Sequence, residues 1–423
     1  MSANCASKGW VTLIKASQAT VCVLFLLSCA GASVLEISST LQRSVLAPLH
    51  NTSDPFFVVL IQNMWNCSYS LRAVLVLALF ASQPTAWHAL HANIHTVFSH
   101  LETNTERSTK YLRFLALLSF LLTFTVHSIT VILSWFRQEG WLNRLNYFHY
   151  LDLGTRNGTS CYLYFDICIS LTSSSTFWTV LVDVPFVLSQ QVLLCALIFA
   201  VKLLMILKKL KAEISELTSD LEVSHEISRW KTFHAQVKKW TRVYVTCQRF
   251  LYQFNSFFGR ILLLSVTLDV FTTLGLGANL VAPAKGTTSL VTSGYYVFLC
   301  GIYLSYATLL FIPFVLVHEE SKEIDRHLRV LSWTIEGHFM KHTDEDWEFN
   351  RTKNVEFSLD KLVAIVQTNT LTVEAGGLFT FSKSLLVTTL ATVATLLVVT
   401  QEILDRSVSG TVSSSICNCS IFD

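Results

Sequence analysis

The chain has 423 residues, of which 52% are hydrophobic and only 14% are charged, and its mean hydropathy is +0.48. Soluble domains carry about 25% charged residues, so this composition excludes a soluble protein and indicates an integral membrane protein. The formal net charge of +2 does not indicate a partner as acidic as nucleic acid.

Two apolar segments near the N-terminus predict the first two membrane-spanning helices. The first covers residues 19–35, follows two lysines and contains small residues near its end. Both a cleaved signal peptide and a retained first helix fit this segment, and we favour retention. A polar loop is predicted for residues 35–69. The second span is predicted at residues 70–90, with Pro84 as an interruption.

The third and fourth spans are predicted at residues 114–135 and 178–201, on either side of an outer loop at residues 136–177. The helical spacing of apolar residues continues without a break beyond residue 201, with charged residues between them. The fourth span should therefore extend out of the membrane as a long helix.

A basic amphipathic segment at residues 229–249 leads into the fifth span, at residues 261–280. The sixth span is predicted at residues 294–317, contains Pro313 and is followed by another charged, amphipathic segment. Residues 357–376 form one further helix candidate. Long helices should therefore continue the fourth, fifth and sixth spans on one side of the membrane.

The seventh span is predicted at residues 384–401, a stretch of 18 residues without charge that is rich in threonine. On a helix, one stripe combines three hydroxyls, a valine and a carboxylate, namely Thr388, Thr392, Thr395, Val399 and Glu402. The stripe fits two interpretations. In the first, the stripe packs closely against another helix through its hydroxyls. In the second, it faces water and lines a pore, with Val399 as a constriction and Glu402 at the mouth of that pore.

Charge and glycosylation signals both predict that the N-terminus is inside and the C-terminus is outside. With that orientation the inner segments hold 24 of the 31 Lys and Arg residues. Asn51, Asn157 and Asn418 stand in glycosylation sequons and fall in outer segments, so we predict that they are modified. This orientation is the reverse of a G-protein-coupled receptor.

The sequence therefore predicts an all-α, polytopic membrane protein with seven transmembrane helices and cytoplasmic helical extensions, located in the plasma membrane. The predicted division is a cytoplasmic N-terminus at 1–18, six spans within 19–317 with a long cytoplasmic helical segment at 202–250, a cytoplasmic anchor segment at 318–378, the seventh helix at 379–402 and an extracellular tail at 403–423.

This arrangement resembles the arthropod gustatory receptor family. The family's seventh span carries Thr-Tyr, five apolar residues and Gln-Phe, and the matching positions here read Ala394-Thr395, residues 396–400 and Gln401-Glu402. Gln401 and the apolar run match that pattern. The sequence Ala-Gly-Gly-Leu-Phe at residues 375–379 also resembles the small, Gly-rich entry to that span.

The resemblance implies a gustatory-type chemoreceptor, a ligand-gated, non-selective cation channel opened by a small-molecule tastant. It implies a homo- or hetero-tetramer in membrane lipid, with monovalent and divalent cations passing through one central pore. The pore-lining residues would be Thr388, Thr392, Thr395, Val399, Gln401 and Glu402. The resemblance also implies a tastant pocket in the outer halves of the earlier spans.

Polar residues of the fourth span are the candidate ligand contacts. Asp183 is a charge that apolar surroundings would penalise unless it faces a wet pocket, and we group Trp178 and Gln190 with it. His88, His91 and His95 share a helix face, but no carboxylate or thiol joins them, so we predict no metal site. A bond from Cys417 or Cys419 to Cys67 or Cys161 stays open.

The alternatives are a G-protein-coupled receptor, a secondary transporter of a small solute and an enzyme. The sequence contains no phosphate-binding loop, nucleophile elbow or paired intramembrane carboxylates, so we predict no enzyme and no cofactor. A transporter would be expected to show repeat symmetry, which the sequence lacks. Ion flux that does not depend on GTP would separate the channel from the receptor.

Overall fold

The structure is a computed structural model, which describes residues 20–31, 33–34, 56–99, 110, 114, 117, 121, 125, 159–162, 167–170, 184–223, 230–281, 290–339 and 346–416. Helices cover α1 Thr20–Gly31, α2 Phe56–Ala81, α3 Pro84–Ser99, α4 Val184–Val223, α5 Trp230–Val281, α6 Leu290–Phe339, α7 Asp346–Thr368 and α8 Lys383–Ile416. Two antiparallel hairpins pair β1 (Thr159–Tyr162) with β2 (Ile167–Ser170) and β3 (Glu374–Ala375) with β4 (Phe379–Thr380).

Four of these helices, α4, α5, α6 and α8, are long and apolar enough to cross a membrane. The α2–α3 pair meets the same test as one broken span, and α1 is a shorter apolar helix at the position of the predicted first span. The predicted all-α, polytopic fold is thereby confirmed. The predicted third span lies largely outside the described residues, and the inside-to-outside orientation stays a prediction.

The second predicted span, with its interruption at Pro84, matches the bent pair Cys67–Ala81 and Pro84–Asn93, although the helices continue beyond the predicted span in both directions. Helix α2 already begins at Phe56, so the predicted loop at residues 35–69 is wrong from that residue onward. Its apolar residues continue the helix upstream of the charged Arg72. The helix then stops at Ala81, and α3 begins at Pro84 with a bend of 72°. Proline explains the break, since it cannot donate the backbone hydrogen bond within a helix.

The predicted helical extensions of the fourth, fifth and sixth spans are confirmed. Helices α4, α5 and α6 contain 40, 52 and 50 residues. At 1.5 Å per residue they are about 60 to 78 Å long, roughly twice the thickness of a hydrocarbon layer. Each helix must therefore continue beyond the membrane, and α6 does so through Pro313 without ending.

The segment before the seventh span is a hairpin, which corrects the predicted helix at residues 357–376. Helix α7 covers Asp346–Thr368, and β3 and β4 then pair around a turn. Gly376 and Gly377 have φ values of 62° and 71°, which residues with a side chain rarely adopt. Downstream, α8 continues to Ile416, so much of the predicted tail at 403–423 is helical.

The hydrophobic core lies around α5, which contacts α2, α3, α4, α6, α7, α8 and β3. Its inner part is aromatic: the rings of Phe254 and Phe258 are 5.0 Å apart, and Phe254 approaches Phe314 of α6 at 6.1 Å. Phe314 continues the series to Phe381, next to the hairpin, at 5.0 Å. These rings are buried and fix α5, α6 and the start of α8 to one another.

Candidate functional site

Helix α8 is the least buried of the apolar helices. Only 6% of its apolar window is buried, compared with 44% to 61% for α4, α5 and α6. All six predicted pore residues are exposed on the subunit surface: Thr388, Thr392, Thr395, Val399, Gln401 and Glu402. In a membrane the apolar surface of α8 can face lipid, but the hydroxyl stripe needs another helix or water, so both interpretations of the stripe require something outside this subunit.

The hydroxyls of the stripe are bonded within α8. Thr392 Oγ1 donates to the carbonyl of Thr388 at 2.8 Å, and Thr395 Oγ1 donates to the carbonyl of Ala391 at 2.8 Å. Each hydroxyl oxygen can still accept a hydrogen bond, from water for example. Helical geometry separates Gln401 from this stripe, because it follows Thr388 by 13 residues and at about 100° per residue projects from another side.

The inward side of α8 packs on α5, with close contact at one glycine. A Cβ atom on Gly277 would lie 2.6 Å from Cδ2 of Leu397. Beside this contact, a cleft separates α8 from α5 and α6, with about 490 Å³ of empty space that includes its open mouth. The cleft walls are mainly apolar, and Asp269, Thr273, Thr308 and Thr389 supply polar groups.

A buried ion pair lies behind the cleft, and sequence inspection did not find it. Arg72 Nε of α2 is 3.0 Å from Asp269 Oδ1 of α5, and their side chains are 1% and 9% exposed. Charges within apolar spans are costly unless they are paired, so two such charges are themselves a signal of a paired site. The sequence could have indicated each residue, but not their pairing across almost 200 positions.

Aromatic residues surround the arginine. The Tyr69 and Phe186 rings stack with centroids 4.0 Å apart, and Phe186 also approaches Tyr303 at 6.0 Å. The Arg72 guanidinium carbon is 5.1 Å from the centroid of Phe186, a cation–π distance. We call Tyr69, Arg72, Phe186 and Tyr303 the aromatic cluster. It combines flat apolar surfaces from α2, α4 and α6 with one cation.

Of the predicted ligand contacts, only Gln190 lies within the described residues, and it is near this cluster. Gln190 is buried in α4, one helical turn after Phe186. Trp178 and Asp183 lie outside the described residues, as do the predicted glycosylation sites Asn51, Asn157 and Asn418. Cys417 and Cys419 lie outside them as well.

Within the part of the chain that the structure describes, no three residues among His, Cys, Asp and Glu come together as a metal site. Histidines 88 and 91 are exposed on α3. Nothing is described for the side chain of His95. The polar groups of the described residues include the buried ion pair, the hydroxyl stripe, the buried amides and hydroxyls near the hairpin, and further ion pairs such as that of Lys383 with Glu319.

Comparison with known proteins gives one family and one fold. The family model described as 7tm Chemosensory receptor matches residues 158–400, more than half of the chain. The insect olfactory receptor OR5 from Machilis hrabei in complex with eugenol is similar in structure, with a TM-score of 0.55, 12% identity, and coverage of 90% of this chain and 88% of that chain. A second structure of that receptor has a TM-score of 0.49 and 15% identity over the same shares. A search of curated proteins found no match.

Proposed function

The chain belongs to the 7tm chemosensory receptor family, and we propose that within this family it is a gustatory-type receptor of the plasma membrane. In this proposal it is a ligand-gated, non-selective cation channel, opened by a small-molecule tastant. The observation that carries the proposal is the exposed helix α8, whose threonine stripe and carboxylate stand on an otherwise apolar surface.

The pore is built from several copies of α8 in this proposal. An apolar helix with a hydroxyl stripe buries its apolar sides in lipid or protein and leaves the hydroxyls for water. One helix cannot enclose water, so several subunits must contribute, and the family resemblance suggests four, as a homo- or hetero-tetramer. Thr388, Thr392 and Thr395 then line the pore, Val399 narrows it, and Glu402 attracts cations at its mouth.

Gln401 has a different part in this proposal. It projects from the side of α8 that carries Leu397, one turn earlier, and is exposed there, so it is assigned to the side of α8 that faces away from the pore, although the family motif places it in the pore segment. The pore would then be neutral over most of its length. Carboxylates at one end and hydroxyls along the wall favour cations without strict selection among them.

The tastant binds at the aromatic cluster in this proposal. Tyr69, Phe186 and Tyr303 offer apolar ring surfaces, and Arg72 Nη1 is buried without a hydrogen bond among the described residues. A small molecule with a ring and a hydrogen-bond acceptor would satisfy both features. Eugenol, which the structurally similar Machilis receptor binds, has this chemistry. Gln190, and Trp178 and Asp183 upstream, would complete the pocket.

Cysteine accessibility tests the pore assignment. The chain is expressed in a cell line, and currents are recorded without added GTP, first alone and then with eugenol, sucrose and caffeine in turn. Thr388, Thr392 and Thr395 are each replaced by Cys, and a water-soluble thiol reagent is applied. We expect the reagent to block the current in all three variants.

Val387 and Val398 provide the matched controls, since they are 65% and 64% exposed but lie on another side of α8. Val387→Cys and Val398→Cys should conduct normally after the reagent. Block at the valines with no block at the threonines would contradict the assignment of the pore face. A wild-type chain that reaches the surface and carries no current in any condition would contradict the channel.

A further inference from the structure

The hairpin between α7 and α8 is bonded to two other helices. We call residues 369–381 the connecting hairpin, because it is the covalent link from α7 to α8. Beside the short pairing of β3 with β4, Leu378 N donates to the carbonyl of Ala375 at 3.1 Å, and Phe381 N donates to that of Val373 at 3.0 Å. Strands of two residues are too short to be stable alone, so the connecting hairpin needs support from its surroundings.

Asn255 of α5 supplies part of that support with both ends of its amide. Its Nδ2 donates to the carbonyl of Thr372 at 2.9 Å, and its Oδ1 accepts from Glu374 N at 3.1 Å. The asparagine therefore takes the place of a neighbouring strand along the backbone of β3. Its donor and acceptor together fix the position of β3 along α5.

Ser321 of α6 and Tyr244 of α5 bind the first residues of the connecting hairpin, directly before those that Asn255 binds. Tyr244 Oη donates to the carbonyl of Asn369 at 3.0 Å, and Leu371 N donates to Ser321 Oγ at 3.0 Å. The two hydroxyls are 3.1 Å apart, and with these donors assigned Ser321 donates to Tyr244. Tyr244 and Ser321 are both fully buried, so water does not compete for these bonds.

Packing holds the hairpin against the same two helices. A Cβ on Gly259 of α5 would lie 3.1 Å from the carbonyl oxygen of Glu374, so the two backbones nearly touch. Phe381 is 1% exposed, and its ring is 5.0 Å from Phe311 and Phe314 of α6. Two residues later, Lys383 Nζ donates to Glu319 of α6 at 2.8 Å. The start of α8 is thus fixed to α5 and α6.

The remainder of α8 packs on α5 along one side and is largely exposed elsewhere. Its inward side packs on α5 near Gly277 and Leu397, and a cleft separates it from α6. A helix fixed at its start and loosely packed along its length follows the body to which its start is attached. The position of α8 is therefore determined by its one-sided contact with α5 and by the attachment of its start to α5 and α6 through the connecting hairpin.

We propose that Asn255, Ser321 and Tyr244 are positioning residues for gating: they make the connecting hairpin move with α5 and α6, and the hairpin transmits this movement to α8. This inference rests on the proposed channel function. In energetic terms, these hydrogen bonds provide a coupling free energy. It links the helices that surround the aromatic cluster to the pore helix α8. Loss of the hydrogen bonds should weaken that coupling without altering the ligand pocket.

The test compares ligand-evoked with ligand-independent current at equal surface expression. It uses whichever of eugenol, sucrose and caffeine gives the largest wild-type current. Asn255→Ala removes both hydrogen bonds to β3 and should lower the ratio of the two currents at least about fivefold. Asn255→Asp keeps the acceptor for Glu374 N but lacks the donor, so its ratio should be intermediate.

Thr246→Ala is the matched control on α5. Thr246 is exposed, and its hydroxyl donates to the carbonyl of Arg242 in the preceding turn rather than to the hairpin. This variant should keep the wild-type ratio. Tyr244→Phe and Ser321→Ala are smaller changes at the first residues of the hairpin and should lower the ratio if Asn255→Ala fails to reach the surface.

Hydrogen exchange separates positioning from stability alone. In Asn255→Ala, the amide of Glu374 should exchange faster than in the wild type, while amides in the middle of α5 keep their rates. Faster exchange at Glu374 together with a wild-type current ratio would overturn the inference and leave the channel intact. Absence of any wild-type current would instead contradict the channel function on which the inference rests.

Discussion

Helices α5 and α8 are neighbours, and their packing is opposite. Of the apolar window of α5, 61% is buried, and the helix contacts every other described helix except α1. Of the apolar window of α8, 6% is buried, and large apolar side chains such as Val387 and Val398 are exposed. Both helices are apolar enough to span a membrane, so hydropathy alone does not distinguish them.

The difference shows which helix stabilises the subunit and which meets something outside it. Within a bilayer, lipid is as apolar as the helices, so close packing between helices stabilises the fold, and in this subunit that packing is concentrated on α5. Helix α8 contributes little to folding and presents most of its surface outward. Substitutions on α5 should therefore lower stability, whereas substitutions on α8 should change conduction or assembly.

A pair of leucine substitutions should show the largest contrast. Leu328 of α6 is fully buried in the core around α5, whereas Leu396 of α8 is 41% exposed. Leu328→Ala should lower the free energy of unfolding by about 4 kcal/mol, because it leaves a cavity among packed side chains. Leu396→Ala should lower it by less than about 0.5 kcal/mol. Thermal denaturation of the purified protein in detergent measures both, and equal losses would contradict the comparison.

The buried ion pair between α2 and α5 should give the next largest effect. Arg72→Ala leaves Asp269 buried without its partner and should cost about 3 kcal/mol. The double variant Arg72→Met, Asp269→Leu removes both charges and should recover most of that stability in the same denaturation experiment. A double variant as unstable as the single one would show that Arg72 acts through its contact with Phe186 instead.

Sequence patterns predicted the long helices because their periodicity is local. The apolar spacing that continues beyond the fourth span is repeated over several turns, and α4 extends to Val223 as expected. The family resemblance likewise depended on short motifs and on the order of spans, and the family match confirms it. The choice between taste and smell depends on pocket side chains, which these patterns do not reveal.

The hairpin and the ion pair could not be predicted because tertiary contacts determine both. Residues 369–376 have a spacing compatible with a helix, but Asn255, far away in the chain, binds their backbone in extended form. Gly376 and Gly377 were the local signal of a turn. The pairing of Arg72 with Asp269 is likewise not local, because the two residues lie on different helices that are far apart in the chain.

Glycine substitutions on α5 should directly compare its interface with α2 and its interface with α8. A Cβ on Gly275 would lie 2.6 Å from the backbone nitrogen of Trp65, so Gly275→Ala forces α2 and α5 apart at a cost of about 2 kcal/mol. A Cβ on Gly277 would meet only the flexible end of Leu397, so Gly277→Ala should cost less than about 1 kcal/mol.

Two controls accompany this comparison in thermal denaturation. Adding Leu397→Ala to Gly277→Ala should remove most of the smaller cost, because the contacting methyl groups are absent. A Cβ on Gly301 meets nothing within 4 Å, and Gly301→Ala should be neutral or stabilising by about 0.5 kcal/mol. If Gly277→Ala lowered the free energy of unfolding more than Gly275→Ala does, α8 would be packed on α5 at least as firmly as α2 is.

The smallest expected effect on stability, with a large one on conduction, is at Thr392. Thr392→Val keeps the shape of the side chain and removes a hydroxyl that is bonded only to its own helix among the described residues, so the free energy of unfolding should change by less than about 0.5 kcal/mol. A pore wall without that hydroxyl should pass cations more slowly, which single-channel recording would detect as a lower conductance. Val398→Thr, the reverse exchange on another side of α8, should leave conductance unchanged. A higher conductance in Val398→Thr together with an unchanged conductance in Thr392→Val would assign the pore to the side of α8 that carries Val398, while leaving the contrast between α8 and α5 intact.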